Sequence, residues 1–354
     1  MGFNMNIFNK KPFLIANISF NFYDLAKKEN MSYMDAAKLL IEEAQLCGVD
    51  AVMFHAYAVE KFISRDSPSF WNLSYEEAVS QFELFNKYEK FGIGEYRKLA
   101  QFCKEVGILF LAEPLDLESV DALDDFVDIY KISSSDLTNI PFIKKVACKN
   151  KSILLSTGGA TLIEIRNAVK AIEDVSTSNI AILHSILSYP TEYKDANLLM
   201  IKDLVQNFPD YEIGYVDYTK PDENMMVLTT AYSYGADILE KHFTFDKSLE
   251  GYYNSFAMDP DDVIRFKNNV LFLSKINGSS NKQPLICESS ARKEIRKSIV
   301  AKCNIKKGES ISMSNITFKR PSRGISPAQI DEVIGKIAKC DIDKDSFIDF
   351  DMLK

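Results

Sequence analysis

The sequence predicts an α/β fold: a (β/α)8 barrel followed by a small, mainly β appendage. Three observations carry that expectation. Eight short apolar runs alternate with segments whose apolar residues recur at helical spacing. The runs are nearly continuous rather than alternating, as in strands buried on both faces of a parallel sheet. Past residue 275 the rhythm stops, and a polar, turn-rich stretch leads into shorter β-like runs.

Taken in order, the expected strands are FLIANIS (13–19), DAVMFHAY (50–57), ILFLAEP (108–114), VDIYKISS (127–134), SILLSTG (152–158), IAILHSI (180–186), YEIGYVDY (211–218) and ADILEKHF (236–243). Helical spacing between them is plainest in MDAAKLLIEEAQLCG (34–48) and YRKLAQFCKEVG (96–107). No G-x-G-x-x-G follows any strand, which favours the barrel over an open, doubly wound sheet. The long connection from about 58 to 96 holds the one tryptophan; it reads as a loop and helix over the barrel mouth or as a structural excursion at its edge. INGSSNKQP (276–284) marks a linker. The expected organisation is a barrel over 1–275, a linker over 276–292 and an appendage over 293–354.

With 46% hydrophobic and 26% charged residues, the composition is that of an ordinary globular protein. A net charge of -8, with no basic stripe, excludes a general nucleic-acid binder. No apolar run nears the roughly 18 residues that span a membrane. The N-terminal apolar stretch is broken by Asn17 and reads as a first strand rather than a secretion signal. Six scattered cysteines without a C-x-x-C pair read as reduced thiols of a cytoplasmic protein.

In a barrel the C-terminal strand ends form one rosette, where active sites sit. Here those ends carry Asn17, His55, Glu113, Lys131 with Ser134, Ser156, His184, Asp217 and His242, so all three histidines fall in the set. STGGATLIEI (156–165) sets two glycines before a helix whose Thr161 and Glu164 are spaced as a capping box. It suits an anion, or is an ordinary tight turn. Lys131 inside an apolar strand needs a partner or a polar cavity. Asp217 and His242 read as neighbours sharing a divalent cation, Mn²⁺ or Mg²⁺, or as a plain Asp–His hydrogen bond.

Together, KISSSDLTNIPFI (131–143), LLSTGGATLIEI (154–165), ILHSILSYPTEYKDANL (182–198), GADILEKHFTFD (235–246) and KRPSRGISP (319–327) resemble the sialic acid synthase family. That family includes N-acetylneuraminate, legionaminate and pseudaminate synthases. The resemblance implies a barrel with an antifreeze-like (SAF) domain and a domain-swapped homodimer. It also implies condensation of phosphoenolpyruvate with an N-acylated amino sugar, giving a nine-carbon 2-keto acid for surface glycans. A divalent metal would polarise the sugar aldehyde, with His242 as a ligand. Lys131, Ser134 and Ser156 would hold the phosphoenolpyruvate anion, and Arg320 would reach the sugar in the partner's site. We further assign Lys131, His55 and Glu113 to catalysis, Tyr189 and Asp217 to substrate binding, and His184 with His242 to a rebuilt metal site.

The departures from the family pattern are specific. Met53 and His55 stand where K-x-Q is usual, and Ala112 and Glu113 replace two hydroxyls. Val216 and Tyr218 interrupt G-x-S-D-H-T, and Tyr252 and Tyr253 replace the proline and aspartate of G-P-D. These changes leave two alternatives beside the active synthase. One is a paralogue that binds sugar or a partner without phosphoenolpyruvate condensation. The other is a different aldol-type or lyase reaction on the same barrel.

Overall fold

A computed structural model describes residues 10–73 and 76–354 and divides the chain into two compact units, Met1–Ile276 and Asn277–Lys354. The first is a closed barrel of eight parallel strands in sequential order. They are β1 (Phe13–Asn17), β2 (Ala51–Ala56), β3 (Leu109–Pro114), β4 (Ile129–Ile132), β5 (Ser152–Ser156), β6 (Ile180–His184), β7 (Glu212–Asp217) and β8 (Ile238–His242). Asn17 pairs in register with His242 of β8, which closes the ring. Among the described residues no helix is long and apolar enough to cross a membrane.

Strand periodicity decides what each residue meets, because successive side chains point to opposite faces. One set, including Phe13, Ile15, Met53, Leu111, Ile129, Leu154, Leu183, Val216 and Ile238, packs into a separate cluster that fills the barrel. The alternate set, including Leu14, Val52, Phe54, Tyr130, Leu155, Ile182, Tyr215 and Leu239, joins the larger core shared with the helices. Gly214 has no room for a side chain: an added Cβ would lie 2.3 Å from Leu183 and 2.6 Å from the Ile238 carbonyl.

Local chemistry starts the helices where strands deliver the chain. Thr161 and Glu164 form the expected capping box on the helix Leu162–Glu173, with the Glu164 carboxylate accepting from Thr161 N–H at 2.7 Å. In the long second connection the helices Val59–Phe62 and Gln81–Tyr88 lie over the mouth, ahead of the helix Ile93–Val106 that leads into β3.

The second unit has its own apolar core, centred on Ile299, Ile305, Ile311, Ile325, Val333 and Ile348. Its regular β structure is slight: β9 (Ser298–Ala301) pairs antiparallel with β10 (Ile316–Lys319), supplemented by isolated bridges. The KRPSRGISP segment wraps the buried Ser298, whose hydroxyl accepts the amides of Arg323 and Gly324 at 2.9 Å each.

Candidate active site

Inward parity carries a row of polar groups up to the C-terminal mouth. His55 Nε2 donates to Glu113 at 2.9 Å, and the Lys131 ammonium lies 3.5 Å from the same carboxylate. On its other side Lys131 donates to Glu240 at 2.7 Å, and Asn17 donates to that same oxygen at 3.1 Å. Five strands thus contribute to one line of hydrogen bonds and ion pairs, His55–Glu113–Lys131–Glu240–Asn17. Burial alone would raise the Glu113 carboxyl, but Lys131 and His55 outweigh it and hold it down at about 2. For Lys131, burial opposes the charge, yet Glu113 and Glu240 prevail and raise its ammonium above the usual range. The buried Nδ1 of His55 and Oε2 of Glu240 have no hydrogen-bond partner in this network.

A second network grips His242. Asn21 donates to Asn254 Oδ1 at 2.9 Å, so its own Oδ1 faces His242 Nδ1 at 3.2 Å. Asn254 in turn donates to Asp24 at 2.9 Å, and Thr244 donates to Asn254 at 2.7 Å. Around the imidazole stand Tyr253, Phe256 and Tyr218, with ring centroids at 5.0, 5.4 and 6.1 Å. Burial, reinforced by the neighbouring ammonium groups of Lys131 and Lys241, pushes His242 well below the ordinary histidine range.

A third group is made of hydroxyls. Ser185 lies 3.3 Å from Ser134 and 3.2 Å from Ser156, and the Gly158 amide donates to Ser134 at 2.9 Å. Position 158 must be glycine for this approach, since a Cβ there would come within 2.7 Å of the Ser185 hydroxyl. Ser134, Ser156, His55, Glu113 and Lys131 open into a cavity of about 540 Å³ walled by Phe20, Trp71, Tyr189, Tyr218, Tyr252 and Tyr253.

Of the residues singled out in the sequence, His55, Glu113, Lys131, Ser134, Ser156, Tyr189 and His242 line this one cavity. His184 and Asp217 do not join them. They close strands whose inward positions are Leu183 and Val216, so both turn outward. His184 stacks on Tyr215 and bonds the Ala196 carbonyl at 3.1 Å, and burial lowers its pKa. Asp217 pairs with the buried Lys241 at 2.7 Å. The shared Asp217–His242 cation and the His184 ligand are therefore corrected: neither side chain faces the mouth. Arg320 sits at an exposed position of the second unit. Sequence reasoning passed over Glu240, Asn254 and Ser185. Glu240 was recoverable, because it stands two residues before His242 and must share its face.

A resident divalent cation does not fit these donors. His242 offers one nitrogen, Nε2; Glu113 and Glu240 neutralise Lys131, and the unpaired Glu240 Oε2 and His55 Nδ1 do not converge with His242 on one metal position. Burial holds the phenols of Tyr218 and Tyr253 well above their usual range, so they remain neutral. Among the described residues no three His, Cys, Asp or Glu side chains converge on a metal position.

Comparison with known proteins agrees with this architecture. An uncharacterized protein of Methanocaldococcus jannaschii is 39% identical over 321 residues, covering 90% of each chain. The N,N'-diacetyllegionaminic acid synthase of Campylobacter jejuni is 34% identical over 320 residues, covering 89% of this chain and 94% of that one. Among solved structures, a sialic acid synthetase of Leptospira borgpetersenii in complex with citrate matches with a TM-score of 0.68 at 28% identity, covering 80% of this chain and 90% of that one. The SAF domain model matches residues 296–354 and the NeuB family model residues 40–282, and the chain belongs to the NeuB family.

Proposed function

We propose that this protein is a carbon–carbon bond-forming synthase of surface-glycan biosynthesis, condensing phosphoenolpyruvate with an N-acylated amino sugar to a nine-carbon 2-keto acid. The observation that carries the reading is a protonated Lys131 that lines the same cavity as the Ser134 and Ser156 hydroxyls. Those donors suit the anionic donor substrate, and the aromatic wall suits the flat faces of a sugar.

In the proposed reaction C3 of the enol forms a bond to the sugar aldehyde carbon. The carbonyl electrons move to oxygen, which takes a proton from the Lys131 ammonium. Water adds to the resulting cation at C2 and loses its proton to His55 Nδ1, the nitrogen left free by the Nε2–Glu113 bond. The carbon–oxygen bond to phosphate then breaks, phosphate keeps the electron pair and takes the C2 hydroxyl proton, the 2-keto acid remains, and the proton held by His55 restores the Lys131 ammonium. Arg320, carried over from the resemblance, would touch the sugar from the partner subunit of a homodimer. Arg320→Ala is then expected to raise the sugar KM with thermal stability unchanged.

One observation favours a second reading. Two carboxylates face one ammonium at the floor, and Met53 supplies no further cation, so a polyanion gains less here than in a positive site. A sugar-binding paralogue without phosphoenolpyruvate condensation tolerates this better. The deciding experiment mixes the protein with phosphoenolpyruvate and an N-acylated amino sugar, and measures phosphate and 2-keto acid. Equal amounts of both, lost in Lys131→Met, are expected. Sugar binding by calorimetry with no phosphate release would overturn the synthase reading in favour of the paralogue.

A further inference from the structure

We propose that His242 acts in this site as a neutral hydrogen-bond acceptor for a substrate hydroxyl, with Nδ1–H clamped by Asn21 and Nε2 presented to the cavity, and not as a ligand of a divalent cation. The inference rests on the sugar occupying the cavity described above.

The direction of the amide chain fixes the proton. Asp24 Oδ2 accepts from Asn254 Nδ2, which leaves Asn254 Oδ1 to accept from Asn21 Nδ2 and from the Thr244 hydroxyl. Asn21 Oδ1 is then the atom facing His242 Nδ1, and a carbonyl oxygen can only accept. The hydrogen therefore resides on Nδ1 and the lone pair on Nε2. Four residues from three segments set one tautomer, which makes Asn21, Asn254 and Asp24 positioning residues for His242.

What surrounds Nε2 argues against a cation there. The ring is boxed by Tyr253, Phe256 and Tyr218, which offer no anionic oxygen. A hard divalent ion needs several imidazole, carboxylate or carbonyl donors, and a single nitrogen beside the Lys131 ammonium does not supply them. A sugar is a better match: its hydroxyl donates to Nε2 while its C–H faces rest on the aromatic rings.

The test needs no turnover. With three histidines in the chain, long-range proton–nitrogen NMR on the full-length ¹⁵N-labelled protein resolves each ring, and single variants assign them. The expected spectrum shows His242 as the neutral Nδ1–H tautomer, and Asn21→Ala or Asn254→Ala mixes the tautomers. Mn²⁺ added to about 1 mM is expected to leave the His242 resonances no broader than those of His184, since no multidentate site exists. His242→Leu should weaken N-acylated amino sugar binding about tenfold, as for one lost hydrogen bond, and His242→Gln, which restores an acceptor, should recover most of it. An Nε2–H tautomer, or selective broadening of His242 at micromolar Mn²⁺, would overturn the proposal. Failure of the synthase reading appears instead as absent phosphate release with this spectrum intact.

Discussion

Asp24 and Glu113 are both carboxylates at the rim of one barrel, and their surroundings drive them in opposite directions. Glu113 has Lys131 and His55 beside it and is held near 2. Asp24 is buried with weaker compensation from Lys87 and Asn254, and burial raises it to about 7. Between pH 4 and 7 the native state therefore binds a proton at Asp24 that the unfolded chain has released, so the contribution of this group to stability falls as pH rises through that window. Asp24→Asn keeps an acceptor for Asn254 and removes the titration. The lowered histidines His184 and His242 push stability the other way, so we expect the slope of unfolding free energy against pH between 4 and 7 to be more positive in Asp24→Asn than in the wild type, by up to about 1.4 kcal/mol per pH unit. Parallel slopes in the two proteins would show that Asp24 does not titrate there. At Lys131 the arithmetic concerns charge burial: Lys131→Met leaves Glu113 and Glu240 facing each other without a cation. Urea unfolding should show a loss of about 3–5 kcal/mol at neutral pH, and Lys131→Met combined with Glu113→Gln should recover part of it.

At the scale of the strand, parity is the rule that separates what was legible in the sequence from what was not. The eight apolar runs, their order and the capping box at Thr161 and Glu164 could be read directly, because burial on both faces and helix starts leave local signatures. His55, Glu113, Lys131 and Ser156 could be placed at the mouth because each occupies an inward position near a strand end. His184 and Asp217 are equally near strand ends and face the helices, since one residue of register reverses the face. The Asn21–Asn254 link spans more than 230 residues of chain and has no local signature at all. Parity also yields a prediction. Asp217 neutralises Lys241, an ammonium that burial lowers below its usual range, and both lie outside the cavity. Asp217→Asn should cost about 3–5 kcal/mol in chemical denaturation while leaving the sugar dissociation constant unchanged in calorimetry. A weakened sugar with unchanged stability would return Asp217 to the site.

For the whole molecule the relevant fact is that two apolar cores form without sharing residues. The barrel buries one cluster inside its strands and a larger one under its helices. The second unit gathers its own around Ile299, Ile325 and Ile348. A unit of roughly 80 residues buries a smaller fraction of its surface than a barrel of over 250, so its margin of stability is thinner. Its regular structure is short, and irregular segments bond to each other and to β9, as in Ile325 N–H to the Ile348 carbonyl at 2.9 Å and Ile348 N–H to the Ile299 carbonyl at 3.0 Å. Calorimetry of the full chain is therefore expected to show two transitions, the smaller at the lower temperature. Ile348 is fully buried at the centre of the small core, and Ile348→Ala should remove about 2–5 kcal/mol from it. That loss is comparable to the entire stability of so small a unit, so the first transition should vanish while the second keeps its midpoint. A single transition that moves as a whole in Ile348→Ala would mean that the two cores melt as one cooperative body, and that the barrel's stability depends on the appendage.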